Sequence, residues 1–121
     1  MDADLLHAQR RATESVAMRR FAHRNVRDAN HTKVVGWYTD LGIGVVDLAD
    51  VGKGCPDLMV HAFGLADLVE IKIEGGKMKE SQEEFMKEWH GPLLWLVRGM
   101  PDVVDHVRDM YRRSKLLEKA A

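Results

Sequence analysis

The sequence predicts one α/β domain, and the basis of this prediction is the order of its helix-like and strand-like segments. Segments with apolar residues at helical spacing alternate with short aliphatic runs that are typical of strands. Three strand-like runs follow one another, and a helix then precedes a fourth, so we expect a mixed sheet flanked by helices. The length of 121 residues suits one hydrophobic core, and the 45% apolar and 31% charged residues are typical of a soluble globular protein.

Four helices are predicted from apolar spacing and from residues that start or stop helices. The first is rich in Arg and Ala and has only a weak apolar stripe, so we interpret it as an appended arm. Asn30 is expected to cap the second helix, and Gly42 lies just past its end. The expected helices cover residues 5–24, Asn30–Leu41, Ser81–His90 and a segment that begins at Pro101.

Four strands are predicted, and the middle two are expected to form a hairpin. The expected strands are Ile43–Leu48, Asp57–Ala62, Asp67–Ile73 and Leu93–Val97. A four-residue loop over Phe63–Ala66 would pair Ala62 with Asp67 and would set Asp57 opposite Lys72. Because side chains alternate along a strand, Asp57, Glu70 and Lys72 then project from one face. The other face is wholly aliphatic and consists of Leu58, Val60, Val69, Ile71 and Ile73.

Two carboxylates and an ammonium group on one face of a hairpin favour a site for a divalent cation. Like charges this close repel each other unless a cation lies between them. Oxygen ligands favour a hard ion, Mg²⁺ or Mn²⁺, which activates water and neutralises charge on a phosphate. The alternative is an exposed charge pattern, in which Asp57 only follows a turn proline and Glu70 and Lys72 are solvated.

Several short motifs follow one another along the chain. They are Asp28-Ala-Asn30, Val51-Gly-Lys-Gly-Cys-Pro-Asp57, Leu68-Val-Glu-Ile-Lys72, Gln82-Glu-Glu-Phe85, Trp89 and Gly91-Pro92. In this order they resemble the PD-(D/E)XK nuclease superfamily, and within it the small virus-type replication-repair nuclease (VRR-NUC) domains of phages and bacteria. The resemblance covers about residues 28–107.

The resemblance implies a restriction-endonuclease-like core, of order α-β-β-β-α-β-α, that hydrolyses phosphodiester bonds in DNA with Mg²⁺ or Mn²⁺. It implies Asp57 and Glu70 as metal ligands, joined by the backbone carbonyl of Ile71. It also implies Lys72 as the catalytic lysine and Gln82 as a polar residue that enters the site from the following helix. One position departs from the family pattern: Lys33 stands where similar proteins often carry an acid. Asp47 is a possible substitute ligand, and the number of metal ions, one or two, stays open.

Three lysines are predicted to contact DNA phosphates, namely Lys53, Lys77 and Lys79. The alternative for Lys53 is that its flanking glycines only turn the chain between strands, and the alternative for Lys77 and Lys79 is a solvated loop. The net charge of −1 conceals basic ends around an acidic middle: residues 1–30 carry six Arg against four acids, and residues 106–121 carry five Lys or Arg against two. Cys55 is interpreted as a small filler, and the six histidines lack zinc-ligand spacing.

The predicted organisation is a helical arm over residues 1–27, a nuclease domain over 28–112 and a basic tail over 113–121. A domain this small offers little contact area for a duplex, so we expect a homodimer acting in replication, recombination or repair, with branched DNA such as a four-way junction as a possible substrate. A non-catalytic DNA-binding or structural module and an RNA-directed nuclease are the alternatives. With one cysteine and neither a signal peptide nor a membrane span in the sequence, we expect a cytoplasmic protein, in a bacterial or phage-infected cell.

Overall fold

The computed structural model describes residues 29–73 and 75–120, so the predicted helix over residues 5–24 lies outside the described residues. The chain divides into two units, with the boundary between Lys33 and Val34. Of the first unit only residues 29–33 are described, and they are helical. In chain order the elements are α1 over residues 29–40, β1 Gly44–Asp47, β2 Leu58–Ala62, β3 Leu65–Ile71, α2 Glu80–Lys87, β4 Leu94–Val97 and α3 Met100–Ala120.

The four strands form one mixed sheet in the order β1-β2-β3-β4. The pairs β1–β2 and β2–β3 are antiparallel, whereas β4 runs parallel to β3. A parallel neighbour needs a crossover connection, and α2 supplies it between β3 and β4. The predicted α/β domain with a mixed sheet and flanking helices is therefore confirmed.

The turn between β2 and β3 differs from the prediction. It has two residues instead of four, because Ala62 pairs with Leu65. Phe63 and Gly64 both have positive φ, at 56° and 78°, which is the conformation that a two-residue type I′ hairpin turn requires. The predicted pairing of Ala62 with Asp67 is wrong, but the shift is by two residues and leaves every side chain on its predicted face.

The hydrophobic core lies on the face of the sheet that carries Val60 and Val69. Its buried members are Val34, Tyr38, Ile43, Leu58, Val60, Val69, Val97, Val103 and Met110. One residue of the predicted aliphatic face is not buried, since Ile73 is 47% exposed. Asn30 lies within α1 and does not cap it, whereas Gly42 has the predicted left-handed conformation, with φ of 79°.

A buried polar chain, defined here as Tyr38, His106, Asp67 and Arg113, crosses this core. The Oη of Tyr38 lies 2.7 Å from His106 Nδ1, and His106 Nε2 lies 2.7 Å from Asp67 Oδ2. A carboxylate only accepts, so Nε2 donates to it and Nδ1 accepts from the tyrosine hydroxyl. Arg113 donates to both oxygens of Asp67. Burial lowers the pKa of His106, which favours this neutral imidazole.

The last helix is longer than predicted and includes residues 113–120, which the sequence analysis sets apart as a basic tail. Its buried residues are Val103, His106, Met110 and Ser114. These lie three or four positions apart and form one stripe, as expected for a helix that packs on a sheet. In the part of the chain that the structure describes, none of the helices combines the length and apolar character that a membrane span requires.

Candidate active site

Asp57 and Glu70 lie side by side at the end of the β2–β3 hairpin. The last β2–β3 pair is Leu58 with Val69, and one further step along both strands sets Asp57 opposite Glu70. The prediction that Asp57 lies opposite Lys72 is therefore wrong. The backbone N–H of Ile71 donates to Asp57 Oδ2 over 2.8 Å, which fixes this carboxylate against β3. The two-residue turn therefore brings the two carboxylates closer than the predicted register does.

Glu70 is buried, with 3% of its surface exposed, and its Oε2 has no hydrogen-bond partner among the described residues. Burial, and next the charge of Asp57, raise the pKa of Glu70 from 4.5 to about 7, while Lys72 acts in the opposite direction. Desolvation and a like charge both disfavour the ionised form. The two carboxylates can reduce this penalty by sharing a proton or a cation.

Gln82 connects Glu70 with Lys72. Its Nε2 donates to Glu70 Oε1 over 2.7 Å, and its Oε1 accepts from Lys72 Nζ over 2.7 Å. The same Oε1 also accepts from the backbone N–H of Lys79 over 2.9 Å. The structure thus brings together all four residues that the resemblance assigns to catalysis.

The first turn of α2, which carries Gln82, packs against the loop before β2. Gly54 is the contact point: a Cβ at this residue would lie 2.1 Å from the backbone oxygen of Ser81. Gly54 also has a φ of 78°, which favours glycine. The helix starts nearer the chain's N-terminus than predicted, at Glu80, and none of its eight described residues is buried. Contacts at its start, including those of Gln82, therefore decide where it lies.

The donor set fits a hard divalent cation, which is the ion that the sequence predicts. The supporting observation is the buried Glu70 Oε2, which lies beside the carboxylate of Asp57 and has no hydrogen-bond partner in the part of the chain that the structure describes. Within residues 29–73 and 75–120, no group of three or more His, Cys, Asp or Glu side chains could hold a metal ion. A cation here would therefore draw its further ligands from backbone carbonyls and water. The carbonyl of Ile71 as one of them stays a prediction.

The two positions considered for a further acid do not complete a carboxylate triad. Lys33 is exposed on α1. Asp47 lies at the end of β1, where its Oδ1 accepts from the backbone N–H of Ala49 over 2.9 Å. Because the described residues contain no three-membered cluster of ligating side chains, Asp47 does not join Asp57 and Glu70.

The three lysines predicted to contact DNA are all exposed. Lys53 has a φ of 56°, a left-handed conformation that is uncommon for a residue with a side chain. Lys79 flanks the start of α2, and its backbone N–H bonds to Gln82. Their exposure is compatible with phosphate contacts, and their binding role stays a prediction.

Cys55 and two of the tryptophans stand near the site or the core. Burial, followed by the charges of Glu70 and Asp57, raises the pKa of the Cys55 thiol, which disfavours a reactive thiolate. Trp95 stacks on His106, with ring centroids 4.7 Å apart, and Trp89 stacks on Phe85. The raised pKa agrees with the interpretation of Cys55 as a filler, and Trp95 packs against the hydrophobic core.

No family model, curated protein or solved structure matches the chain. The chemistry of the site is therefore the basis for assigning a function.

The buried polar chain on the opposite face of the sheet was not predicted from the sequence. Asp67 is only 1% exposed and lies in β3 among aliphatic residues. An acid at an inward-facing strand position needs a polar partner. The alternation of side chains along the strand directs Asp67 toward the core, so this position already indicated a buried polar contact. The partners themselves come from 39 and 46 residues further along the chain.

Proposed function

We propose that the protein is a Mg²⁺- or Mn²⁺-dependent DNA endonuclease with a restriction-endonuclease-like core of the PD-(D/E)XK type. The observation that carries the proposal is the pair of half-buried Asp57 and buried Glu70, in which one Glu70 oxygen has no hydrogen-bond partner among the described residues and an ammonium group lies nearby. The element order α-β-β-β-α-β-α and the motif resemblance support the same core.

Each residue of the site has a separate part in this proposal. Asp57 and Glu70 would hold the cation, and the Ile71 peptide keeps Asp57 in place through its N–H. When bound, the cation would lower the pKa of a water molecule and neutralise charge on the phosphate. The Lys72 ammonium lies 3.6 Å from Glu70 Oε1, so it could orient a nucleophilic water or stabilise the charge that develops on phosphorus oxygens. Gln82 bonds to both neighbours and fixes their side chains.

DNA would approach through the exposed lysines. Lys53, Lys77 and Lys79 offer positive charge that could contact phosphates on either side of the cleaved bond. We propose a homodimer, which would present two sites to two strands and would suit branched DNA. A cytoplasmic location, in a bacterial cell or a phage-infected host, belongs to the same proposal.

A cleavage panel tests the function. Linear, flap, nicked and four-way DNA would be incubated with Mg²⁺ or Mn²⁺, and the products of wild type, Asp57→Ala and Lys72→Ala would be compared. We expect cation-dependent nicks and a loss of at least about a hundredfold in each variant, because each substitution removes a group that acts on the transition state. Ser81→Ala, at an exposed position on α2, is the control and should cleave like the wild type.

Other results would contradict the proposed function or one of its parts. DNA binding that persists without cation-stimulated cleavage would indicate a non-catalytic binding module. Cleavage of RNA in preference to DNA would assign the same chemistry to another substrate. Cleavage that survives Asp57→Ala would show that the nuclease site lies elsewhere. A monomer at micromolar concentration by light scattering would contradict the proposed dimer.

A further inference from the structure

The amide of Gln82 stands between two opposite charges that would otherwise meet. Glu70 and Lys72 are two residues apart at the end of β3, so alternation directs both side chains to the same face. Lys72 Nζ remains 3.6 Å from Glu70 Oε1, beyond a good hydrogen bond, whereas it lies 2.7 Å from Gln82 Oε1. Gln82 Nε2 in turn lies 2.7 Å from Glu70 Oε1.

The hydrogen-bond network fixes the orientation of this amide. Gln82 Oε1 accepts from two donors, Lys72 Nζ and the backbone N–H of Lys79. A rotated amide would direct its NH₂ group at both donors and its oxygen at the Glu70 carboxylate, so all three contacts would become repulsive. The amide dipole therefore keeps its positive end on Glu70 and its negative end on Lys72.

Without the amide, the ammonium and the carboxylate would attract each other strongly. Their side chains are only 10% and 4% exposed, so little water is present to screen the attraction. A direct ion pair would add hydrogen bonds from Lys72 to Glu70 and would neutralise the charge that a cation needs. The chain would then satisfy its own carboxylate.

We propose that Gln82 is a positioning residue that keeps the Lys72 ammonium away from Glu70 and so leaves that carboxylate to a divalent cation. The inference rests on the cation site of the proposed function and extends it. In this role Gln82 touches neither the substrate nor the reacting atoms. It acts through Glu70 and Lys72.

Mn²⁺ binding measured by calorimetry without DNA tests this role in a double-mutant cycle. The four proteins are the wild type, Gln82→Ala, Lys72→Met and the double variant, with Ser81→Ala as the control on the same helical turn. We expect Gln82→Ala to weaken Mn²⁺ binding about tenfold, because Lys72 would then form a charge-assisted hydrogen bond with Glu70 and compete with the ion. In the Lys72→Met background the same substitution should change the affinity less than about twofold, because the competing ammonium is gone.

The outcomes separate the inference from the proposed function. If Gln82→Ala binds Mn²⁺ like the wild type, or weakens binding equally in both backgrounds, the positioning role is overturned while the cation site stands. Equal weakening is also the result expected if α2 merely detaches, so the rescue by Lys72→Met distinguishes positioning from a structural role. If neither the wild type nor Lys72→Met binds Mn²⁺, the cation site itself falls, and the proposed function falls with it.

Discussion

Asp67→Ala would remove the acceptor at which the buried polar chain converges. Asp67 accepts from His106 Nε2 over 2.7 Å and from Arg113 Nη1 over 3.1 Å, and it also bonds to Arg113 Nη2. His106 has no exposed surface, so its N–H would lose its partner where water does not reach it. Removing one partner of a buried charged pair costs about 3–5 kcal/mol. We therefore expect a loss of that size in the free energy of unfolding.

Urea unfolding at pH 7 measures this loss. A domain of ordinary stability unfolds with about 5–15 kcal/mol, so this loss amounts to between about a fifth and all of the stability. The matched control is Asp109→Ala, since Asp109 binds the same guanidinium through Arg113 Nε over 2.8 Å but has 15% of its side chain exposed, against 1% for Asp67. Its other partner, Arg112, is exposed. A pair of this kind contributes about 1 kcal/mol or less.

The contrast between the two aspartates is the critical result. If burial sets the cost, Asp67→Ala should destabilise the protein several times more than Asp109→Ala. Adding Arg113→Met to Asp67→Ala should recover part of the loss, because the guanidinium no longer lacks its buried partner. Equal losses for Asp67→Ala and Asp109→Ala, within about 0.5 kcal/mol, would refute the reasoning.

Three further predictions follow from the site. Burial raises the pKa of Glu70 from its ordinary value of 4.5 to about 7, so the folded, cation-free protein binds this proton more tightly than the unfolded chain. The free energy of unfolding should therefore fall by about 3 kcal/mol as the pH rises from 4.5 through 7. Glu70→Gln should abolish this dependence when urea unfolding is measured at about pH 5.5 and 8. Gly54→Ala should lower the free energy of unfolding by more than about 2 kcal/mol and weaken Mn²⁺ binding, because the new Cβ would lie 2.1 Å from the backbone oxygen of Ser81. The control Gly52→Ala meets nothing within 4 Å and should cost only about 1 kcal/mol, because of its positive φ. Equal losses for the two variants would contradict the packing of α2 against Gly54. Lys53→Ala should lower the salt dependence of DNA binding by about one unit of slope, and an unchanged slope in a fluorescence titration would remove Lys53 from the interface.

The sequence alone determined the class of fold and the face on which each β2 and β3 side chain lies. Alternation has a period of two, so the error over the turn, which shifted the register by two residues, left Asp57 and Glu70 on the predicted face. The turn was mispredicted because Phe63 is in a left-handed conformation that its side chain disfavours, and no local pattern favours it there.

Tertiary structure alone decided the contacts between segments that are distant in the chain. The resemblance suggested that Gln82 enters the site, but the two hydrogen bonds by which it separates Lys72 from Glu70 depend on how α2 packs against Gly54. The pairing of Asp67 with His106 likewise spans 39 residues. Periodicity reports which face of an element is apolar, because that depends only on neighbours in the chain. It does not report which polar groups meet across the core, because that depends on the packing of whole elements.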